Sequence, residues 1–358
     1  MKKIGVFSDD FYPYIGGMGK HIHQLYEKMP NGKYCVFSTR KNTLPNHIQL
    51  EVPLREKLKA IAVSLWLAPK LNNLIKEHKL EVLNIHSGPG GLFLLKKPKV
   101  KTVITIHHTY WQQYHYVKSD KWKKIFVPFE KRNLKLADKI ICVSEDTQRV
   151  VVEEYNIPKE KTIVIPNGVD IERFKPLKNL PLIPKSVLYI GRIDARKGVD
   201  FLLRSFVKVL ETEKKAKLYI GGKGKDLEAM KAFVKEKGIS SSVEFLGYVD
   251  DGDFVPWYNK ASCVVVPSVF EGFGIAALEP MLCGAHVIAT DVDGLRCVVK
   301  DGYNGKLVSY GDEEVLSKKI LEAFETEGKK LSSKVRKELK AKYDWEVIAD
   351  ETRKALGD

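Results

Sequence analysis

The chain has 358 residues, which fits two domains at about 150 residues each and gives each enough length for a proper core. Hydrophobic residues make up 44% and charged residues 29%, a globular balance that excludes a disordered chain. Lys and Arg number 60 against 45 Asp and Glu, net +15; residues 1–170 hold 28 basic and 16 acidic residues (+12), which leaves +3 for the remainder and makes the first half the partner for polyanions.

The chain opens MKKIGVFSDD, with Asp9 and Asp10 where a secretory signal would keep its apolar region. A cytoplasmic protein is expected. Residues 4–8 read as a strand and 20–29 as a helix behind a glycine turn. The longest clearly apolar run, 60–68, is nine residues interrupted by Ser64, against about 20 for a membrane-spanning helix. Residues 82–85, 102–106 and 139–143 are further short, buried-looking strands. Residues 166–184 carry Pro166, Pro176, Pro181 and Pro184 around Asn167-Gly168 and read as an interdomain linker. The alternation then restarts, with strands at 187–190, 217–220, 243–245, 263–266 and 286–289 and helices at 198–213, 225–237 and 273–282. Residues 344–356 form a last helix, with Trp345, Ile348, Ala349 and Leu356 as a partial apolar stripe. Strands alternating with helices predict an α/β protein of two doubly wound parallel-sheet domains across a cleft. Ligands in such sheets bind outside the carboxyl ends of the strands. Cysteines 35, 142, 263, 283 and 297 show no Cys-x-x-Cys spacing, which excludes a disulfide framework and a cysteine zinc site.

Candidate chemistry sits where strands turn into helices. The turn Pro13-Tyr14-Ile15-Gly16-Gly17-Met18-Gly19-Lys20 lets backbone amides approach a phosphate or a sugar. It is not a Walker loop, because Tyr14 and His21 stand where that loop needs Gly and Ser or Thr. A plain tight turn is the competing reading. Gly191-Arg192-Ile193-Asp194-Ala195-Arg196-Lys197-Gly198 offers Arg192 as a bidentate fork and Lys197 as a point charge for one diphosphate, or else a solvated basic loop. In Pro267-Ser268-Val269-Phe270-Glu271-Gly272-Phe273-Gly274-Ile275-Ala276-Ala277-Leu278-Glu279, two carboxylates eight residues apart can meet the two ends of one extended ligand through its hydroxyls. The alternative is a surface acid plus a helix-dipole acid.

His107-His108 follows a strand, where a neutral imidazole can donate to a reacting hydroxyl or bind a metal. No acid or third histidine lies nearby in sequence, which weakens the metal. His21 and His23, two apart on a helix, do not share a face and read as structural. Asp251 and Asp253 read as N-cap and first-turn acids, and Asp291 and Asp293 as turn formers, in place of a cation site on a diphosphate. Residues 118–139 carry Lys118, Lys121, Lys123, Lys124, Lys131, Arg132, Lys135 and Lys139 against Asp120, Glu130 and Asp138. Trp122, Phe126 and Phe129 interleave. The charge reads as a membrane-surface helix, the aromatics as core residues of an ordinary solvated one.

Together these residues resemble the retaining family-4 glycosyltransferases (glycosyl transferases group 1, phosphatidylinositol mannosyltransferase-like), which have the two-domain GT-B fold. The resemblance rests on Gly16-Gly17-Met18-Gly19, Pro166-Asn167-Gly168-Val169-Asp170, Gly191-Arg192 with Lys197-Gly198, and Glu271 with Glu279 in Glu-Gly-Phe-Gly. It spans nearly the whole chain, and Tyr343-Asp344-Trp345 looks like the family's last helix. It implies a Rossmann-like acceptor domain over 1–168, rejoined by a helix at about 342–358, and a nucleotide-sugar domain over 169–341. By resemblance Arg192 and Lys197 hold the diphosphate of a UDP- or GDP-sugar, Glu279 the ribose, and Glu271 with the amides of Phe273, Gly274 and Ile275 the donor sugar. Gly16, Gly17, Gly222 and Gly224 contact the donor. His107 matches the active-site histidine, with His108 leaving a second register open.

The implied reaction retains the anomeric configuration and needs neither metal nor cofactor. The acceptor is expected to be a membrane lipid or lipid-linked glycan, with the protein peripheral on the inner face of the cell membrane. Nucleic acid fits the charge, but no recognition motif supports it. The alternatives are a soluble sugar or sugar-phosphate acceptor, and a non-catalytic nucleotide-sugar sensor.

Overall fold

The computed structural model describes residues 2–8, 11, 17–39, 41–52, 63–87, 93–326 and 331–357. The chain divides into two compact units, Met1–Gly168 with Trp345–Asp358, and Val169–Asp344.

The first unit holds a seven-stranded sheet in the order β3-β2-β1-β4-β5-β6-β7. Its strands are β1 (Ile4–Phe7), β2 (Tyr34–Ser38), β3 (His47–Gln49), β4 (Val82–Ser87), β5 (Lys101–Ile106), β6 (Lys139–Cys142) and β7 (Thr162–Val164). Neighbouring strands pair in parallel throughout. A central strand of such a sheet is covered on both faces, which is why strands such as β1 and β6 read as short apolar runs. Alternate residues feed opposite sides. Ile4, Val6, Val82, Val103 and Ile141 pack with Ile22, Leu25, Trp345 and Ile348 from the helices Gly17–Glu27 and Trp345–Leu356. Phe7, Leu83, Ile85, Ile104 and Ile140 pack on the other face with Ile75, Leu134 and Val150.

The second unit has a six-stranded parallel sheet in the order β10-β9-β8-β11-β12-β13. These strands are β8 (Ile183–Ile190), β9 (Lys217–Gly221), β10 (Val243–Gly247), β11 (Ala261–Val266), β12 (Val287–Thr290) and β13 (Lys306–Val308). One core joins Val187, Leu218, Ile220, Cys263, Val265 and Ile288 to Phe201, Phe206, Leu316 and Ile320 of the helices Val199–Thr212 and Glu313–Glu325. In both sheets the strand order reverses at one place, between β1 and β4 and between β8 and β11. Those are the points where crossovers leave in opposite directions and open a crevice.

The doubly wound α/β expectation holds, and the differences from it are local. The 118–139 stretch is not one helix: a 3-10 segment, Lys118–Phe126, precedes the helix Val127–Leu136, whose first turn carries Pro128. Asp251–Asp253 form a single 3-10 turn, and Asp253 makes no side-chain cap on the helix Phe254–Lys260. Asp251 instead pairs with Arg173 at 3.3 Å. None of the five cysteines is in a disulfide. Among the described residues no helix is long and apolar enough to cross a membrane.

Candidate active site

The second unit places four loops at the carboxyl ends of its strands, around the switch point between β8 and β11. After β8, the Asp194 side chain accepts from the Arg196 amide at 3.1 Å and folds Ala195–Lys197 into one 3-10 turn. That turn leads into Val199–Thr212. After β11, the amide of Val269 donates to the Arg196 carbonyl at 2.8 Å, which stitches the two loops together.

The stitch brings Lys197 to Glu271. Nζ of Lys197 lies 2.5 Å from Oε1 of Glu271, with the two side chains only 15% and 11% exposed. The buried Ser268 hydroxyl donates to the same oxygen at 2.9 Å, and the Ser268 carbonyl accepts from Thr290 on β12. Burial works against ionisation of Glu271. Lys197, Arg196 and the two hydrogen bonds outweigh it and hold the carboxyl at about 2. For Lys197, burial and the nearby Arg196 and Arg192 weaken the ammonium, and Glu271 supports it. Glu271 is ionised at neutral pH. The Glu271 bond uses one of the three ammonium donors.

Arg192 differs from Lys197. Its carbonyl is pinned by the Tyr189 hydroxyl at 2.6 Å. Its guanidinium is 57% exposed and only 3.7 Å from Asp194, a loose ion pair. Glu279 is buried on the helix Ile275–Leu282, and the Tyr258 hydroxyl lies 3.4 Å from its Oε2. Phe273 is buried against Tyr343, centroid to centroid 5.6 Å. Gly274 enters the helix at φ +98°, a left-handed conformation that favours glycine, and Ile275 is the first helical residue. Gly222 has a packing reason of its own: at φ +139° a Cβ would stand 1.8 Å from the Gly191 carbonyl oxygen. Gly224 would meet the Ile193 oxygen at 2.0 Å. Both glycines let the loop after β9 lie flat on the loop after β8.

Asp291 and Asp293 stand beside this site and both face Arg296, at 2.5 and 3.4 Å. Sequence reasoning missed Ser268 and Arg196 as supports of Glu271; a hydroxyl three residues before the acid in a strand-to-helix loop is the signal that could have found the first.

The first unit builds a different cluster. His107 follows β5, and its amide donates to the Ser87 carbonyl at 3.1 Å. Its Nε2 lies 3.0 Å from Nδ1 of His86 on β4. The ring of His21, on the helix Gly17–Glu27, meets His107 edge-on with centroids 4.9 Å apart and lies 5.3 Å from the Trp345 ring. All three are buried. Burial lowers His107 to about 4; burial, reinforced by neighbouring imidazoles, lowers His21 and His86 well below the ordinary range. The cluster is neutral at physiological pH. His21 thus joins this cluster, whereas His23 pairs with Glu27 at 3.0 Å and meets the Phe11 ring edge-on. His86 was missed; the polar positions 84 and 86 inside an otherwise apolar strand were the available signal.

These three histidines are the group, among the described residues, whose ligand atoms come within 4.8 Å of one another. The 3.0 Å contact is an N–H···N hydrogen bond that occupies one nitrogen of His86 and one of His107. The arrangement is a buried group of neutral imidazoles whose nitrogens also lie close enough together to hold a metal ion. His108 leaves the cluster and bonds Gln113 at 2.6 Å. Gly17 starts its helix with nothing near its Cβ position. Gly16 lies outside the described residues.

Residues 170–342 match the family described as Glycosyl transferases group 1, and residues 15–173 match Glycosyltransferase Family 4. A Methanocaldococcus jannaschii protein described as an uncharacterised glycosyltransferase is 30% identical over 352 residues, 96% of this chain and 95% of its own. The chain belongs to the family-4, group 1 glycosyltransferases. Solved structures agree on the fold. Sucrose-phosphate synthase from Thermosynechococcus elongatus superposes with a TM-score of 0.82 at 23% identity, over 99% of this chain and 98% of its own. Anabaena HepE, solved with UDP and glucose, gives 0.78 at 18% identity over 99% of both chains. At such identities the likeness is one of fold. This glycosyltransferase shares the GT-B building blocks, two parallel-sheet Rossmann-like units.

Proposed function

We propose that this glycosyltransferase moves a hexosyl unit, with retention, from a UDP- or GDP-sugar to a hydroxyl of a membrane lipid or lipid-linked glycan. The observation that carries the proposal is the Lys197–Glu271 pair, held at 2.5 Å at the switch point of the second sheet. In this reading residues 169–341 take the donor and residues 1–168, with the helix at about 342–358, take the acceptor. The two phosphates bind to Lys197 and Arg192. Glu279 accepts from the ribose hydroxyls. Glu271 and the amides of Phe273, Gly274 and Ile275 hold the donor sugar. Gly222 and Gly224 leave room for the donor beside the flat loop after β9. The nucleotide bound by the solved Anabaena protein supports a nucleoside-diphosphate donor.

The proposed step breaks the bond between the anomeric carbon and the phosphate oxygen. A bond to the acceptor oxygen forms on the same face. The acceptor proton passes to the departing phosphate. Charge grows on that phosphate, and Lys197 and Arg192 stabilise it. These cations do what a divalent ion would otherwise do, so the reaction is proposed to run without metal or cofactor. In the first unit, neutral His107 is assigned a hydrogen bond to a reacting sugar hydroxyl; at about 4 its proton affinity is too low for a general base at neutral pH.

Release of nucleoside diphosphate from UDP-, GDP- and ADP-sugars, in EDTA and with or without an anionic lipid extract, tests the reading. Lipid-stimulated release from one donor in EDTA is the expected outcome. Release that depends on an added divalent ion sinks the metal-free step. A solved relative in fold named sucrose-phosphate synthase favours, as the second reading, a soluble sugar-phosphate acceptor; release stimulated by sugar phosphates and indifferent to lipid would establish it.

A further inference from the structure

The segment Lys118–Phe126 is a 3-10 helix of nine residues. In that geometry residues three apart eclipse one another, so the segment has three clean rows. Asp120, Lys123 and Phe126 form the inward row: Lys123 bonds Asp120 at 2.7 Å, and Phe126 stacks on Phe93 with centroids 6.2 Å apart. Trp122 and Ile125 lie in the second row, 59% and 63% exposed. Lys118, Lys121 and Lys124 make the third, all exposed. The next helix, Val127–Leu136, continues the pattern. It buries Glu130, Asn133 and Leu134 and leaves Phe129 57% exposed, with Arg132 and Lys135 on its outer side. The aromatics therefore divide by exposure: Phe126 packs inward, while Trp122 touches Phe126 and Phe129 touches Phe93 yet each leaves more than half of its surface exposed.

An apolar row beside a cationic row is the composition of an interfacial element. What decides the partner is where the acids are. Residues 118–139 contain eight basic residues and three acids, and each acid is already engaged. Asp120 is taken by Lys123. Glu130 is buried and accepts from the Tyr155 hydroxyl and the Tyr110 amide. Asp138 is taken by Lys97 at 2.5 Å and by the Thr102 amide. The outer face thus offers apolar side chains and uncompensated lysines, which complement a negatively charged surface that also has an apolar layer beneath it.

We infer that Trp122, Ile125 and Phe129, flanked by Lys118, Lys121 and Lys124, seat the first unit on an anionic lipid bilayer. The three apolar side chains enter the boundary between headgroups and acyl chains, and the lysine heads stay among the lipid phosphates. The inference rests on the membrane-acceptor reading above and names the surface that would deliver the enzyme to such an acceptor.

The test uses the full chain with vesicles of phosphatidylcholine alone or with a third phosphatidylglycerol. Wild type should sediment with the anionic vesicles at least tenfold more than with the neutral ones, and the difference should shrink between 50 and 500 mM salt, as screened charges require. Trp122→Ala/Ile125→Ser/Phe129→Ser should lose at least tenfold of this binding. Bromine-labelled lipid should quench wild-type tryptophan fluorescence more than that of Trp122→Phe, a variant that keeps the ring. Donor breakdown in the absence of lipid should be the same in all of them. Undiminished vesicle binding by the triple variant, equal quenching in Trp122→Phe, or a concentration-dependent dimer that the triple variant abolishes would each overturn the anchor. Vesicle binding that follows these variants, in a protein that breaks down no sugar nucleotide, would keep the anchor and remove the transferase reading.

Discussion

Both units bury titratable groups at the carboxyl ends of parallel strands, and they answer the cost of burial in opposite ways. The first unit gathers His21, His86 and His107 with no opposing charge among the described residues, so desolvation wins and the imidazoles stay neutral. The second places Lys197, Arg196 and Ser268 around Glu271, and their attraction outweighs the same penalty. One unit offers hydrogen bonds without charge; the other holds fixed charge ready for a phosphate. Burial alone does not set the protonation state of a site. The sign of what is buried beside it does.

The largest test of the contrast removes Lys197. Lys197→Met should lower turnover by about 10²–10³-fold, the usual cost of deleting one group that stabilises developing charge. It should also destabilise the fold, because Glu271 is left buried without its partner. Lys197→Met/Glu271→Gln should recover most of the lost Tm, since both members are then neutral, and none of the lost turnover. Recovery of activity in the double variant would show that the pair is only structural.

Next in size is the pH dependence. His107 has a folded value of about 4 against an ordinary 6.5, so the unfolded chain binds more protons between those limits. Stability is therefore full above pH 6.5 and falls as the pH drops towards 4, by about 3 kcal/mol for this one group. Glu271, held at about 2 against 4.5, keeps its contribution above pH 4.5 and loses it only towards pH 2. The first unit should fail before the second on acidification. His107→Gln should flatten the loss of Tm between pH 6.5 and 4 and leave the lower limb in place. An unchanged upper limb would mean the imidazole is not neutral in the fold.

The contrast also explains what could be read in advance. The loops of the second unit were legible because their chemistry is local: Lys197 and Glu271 each sit in a short strand-to-helix motif. The histidine cluster was not, because residues 21, 86 and 107 meet only when β4, β5 and the first helix are assembled. Central strands such as 102–106 were legible as apolar runs, whereas β3, β7 and β13 have three residues each, too few to show a period. Residues 118–126 have the composition of an amphipathic α-helix, and only the 3-10 winding sorts Trp122 from Phe126. That Gly222 and Gly224 serve close backbone packing required the neighbouring loop to be in place.

A smaller effect is expected at Glu279. The Tyr258 hydroxyl donates to its Oε2 at 3.4 Å, and the proposed donor site adds the ribose hydroxyls to that carboxylate. Glu279→Gln should raise the KM for the sugar nucleotide about tenfold, the scale of one charge-assisted hydrogen bond, with less change in kcat. A fall in kcat at constant KM would move Glu279 from binding to the chemical step.

The smallest effect is the one that isolates Glu271 from its charged partner. Ser268 donates to the same carboxylate oxygen as Lys197, at 2.9 Å, and it is a neutral donor. Ser268→Ala leaves the ion pair intact and removes one hydrogen bond, worth about 1 kcal/mol of stability. The folded-state value of Glu271 then rises towards its ordinary one, and the window in which ionisation favours the fold becomes narrower. The acid unfolding midpoint of the second unit should move upward, while the limb due to His107 stays where it is. Turnover should fall by no more than about fivefold, since Lys197 keeps its charge and its place. If Ser268→Ala instead matched Lys197→Met in activity, the orientation of Glu271, and not the charge of Lys197, would be what the second unit contributes to transfer.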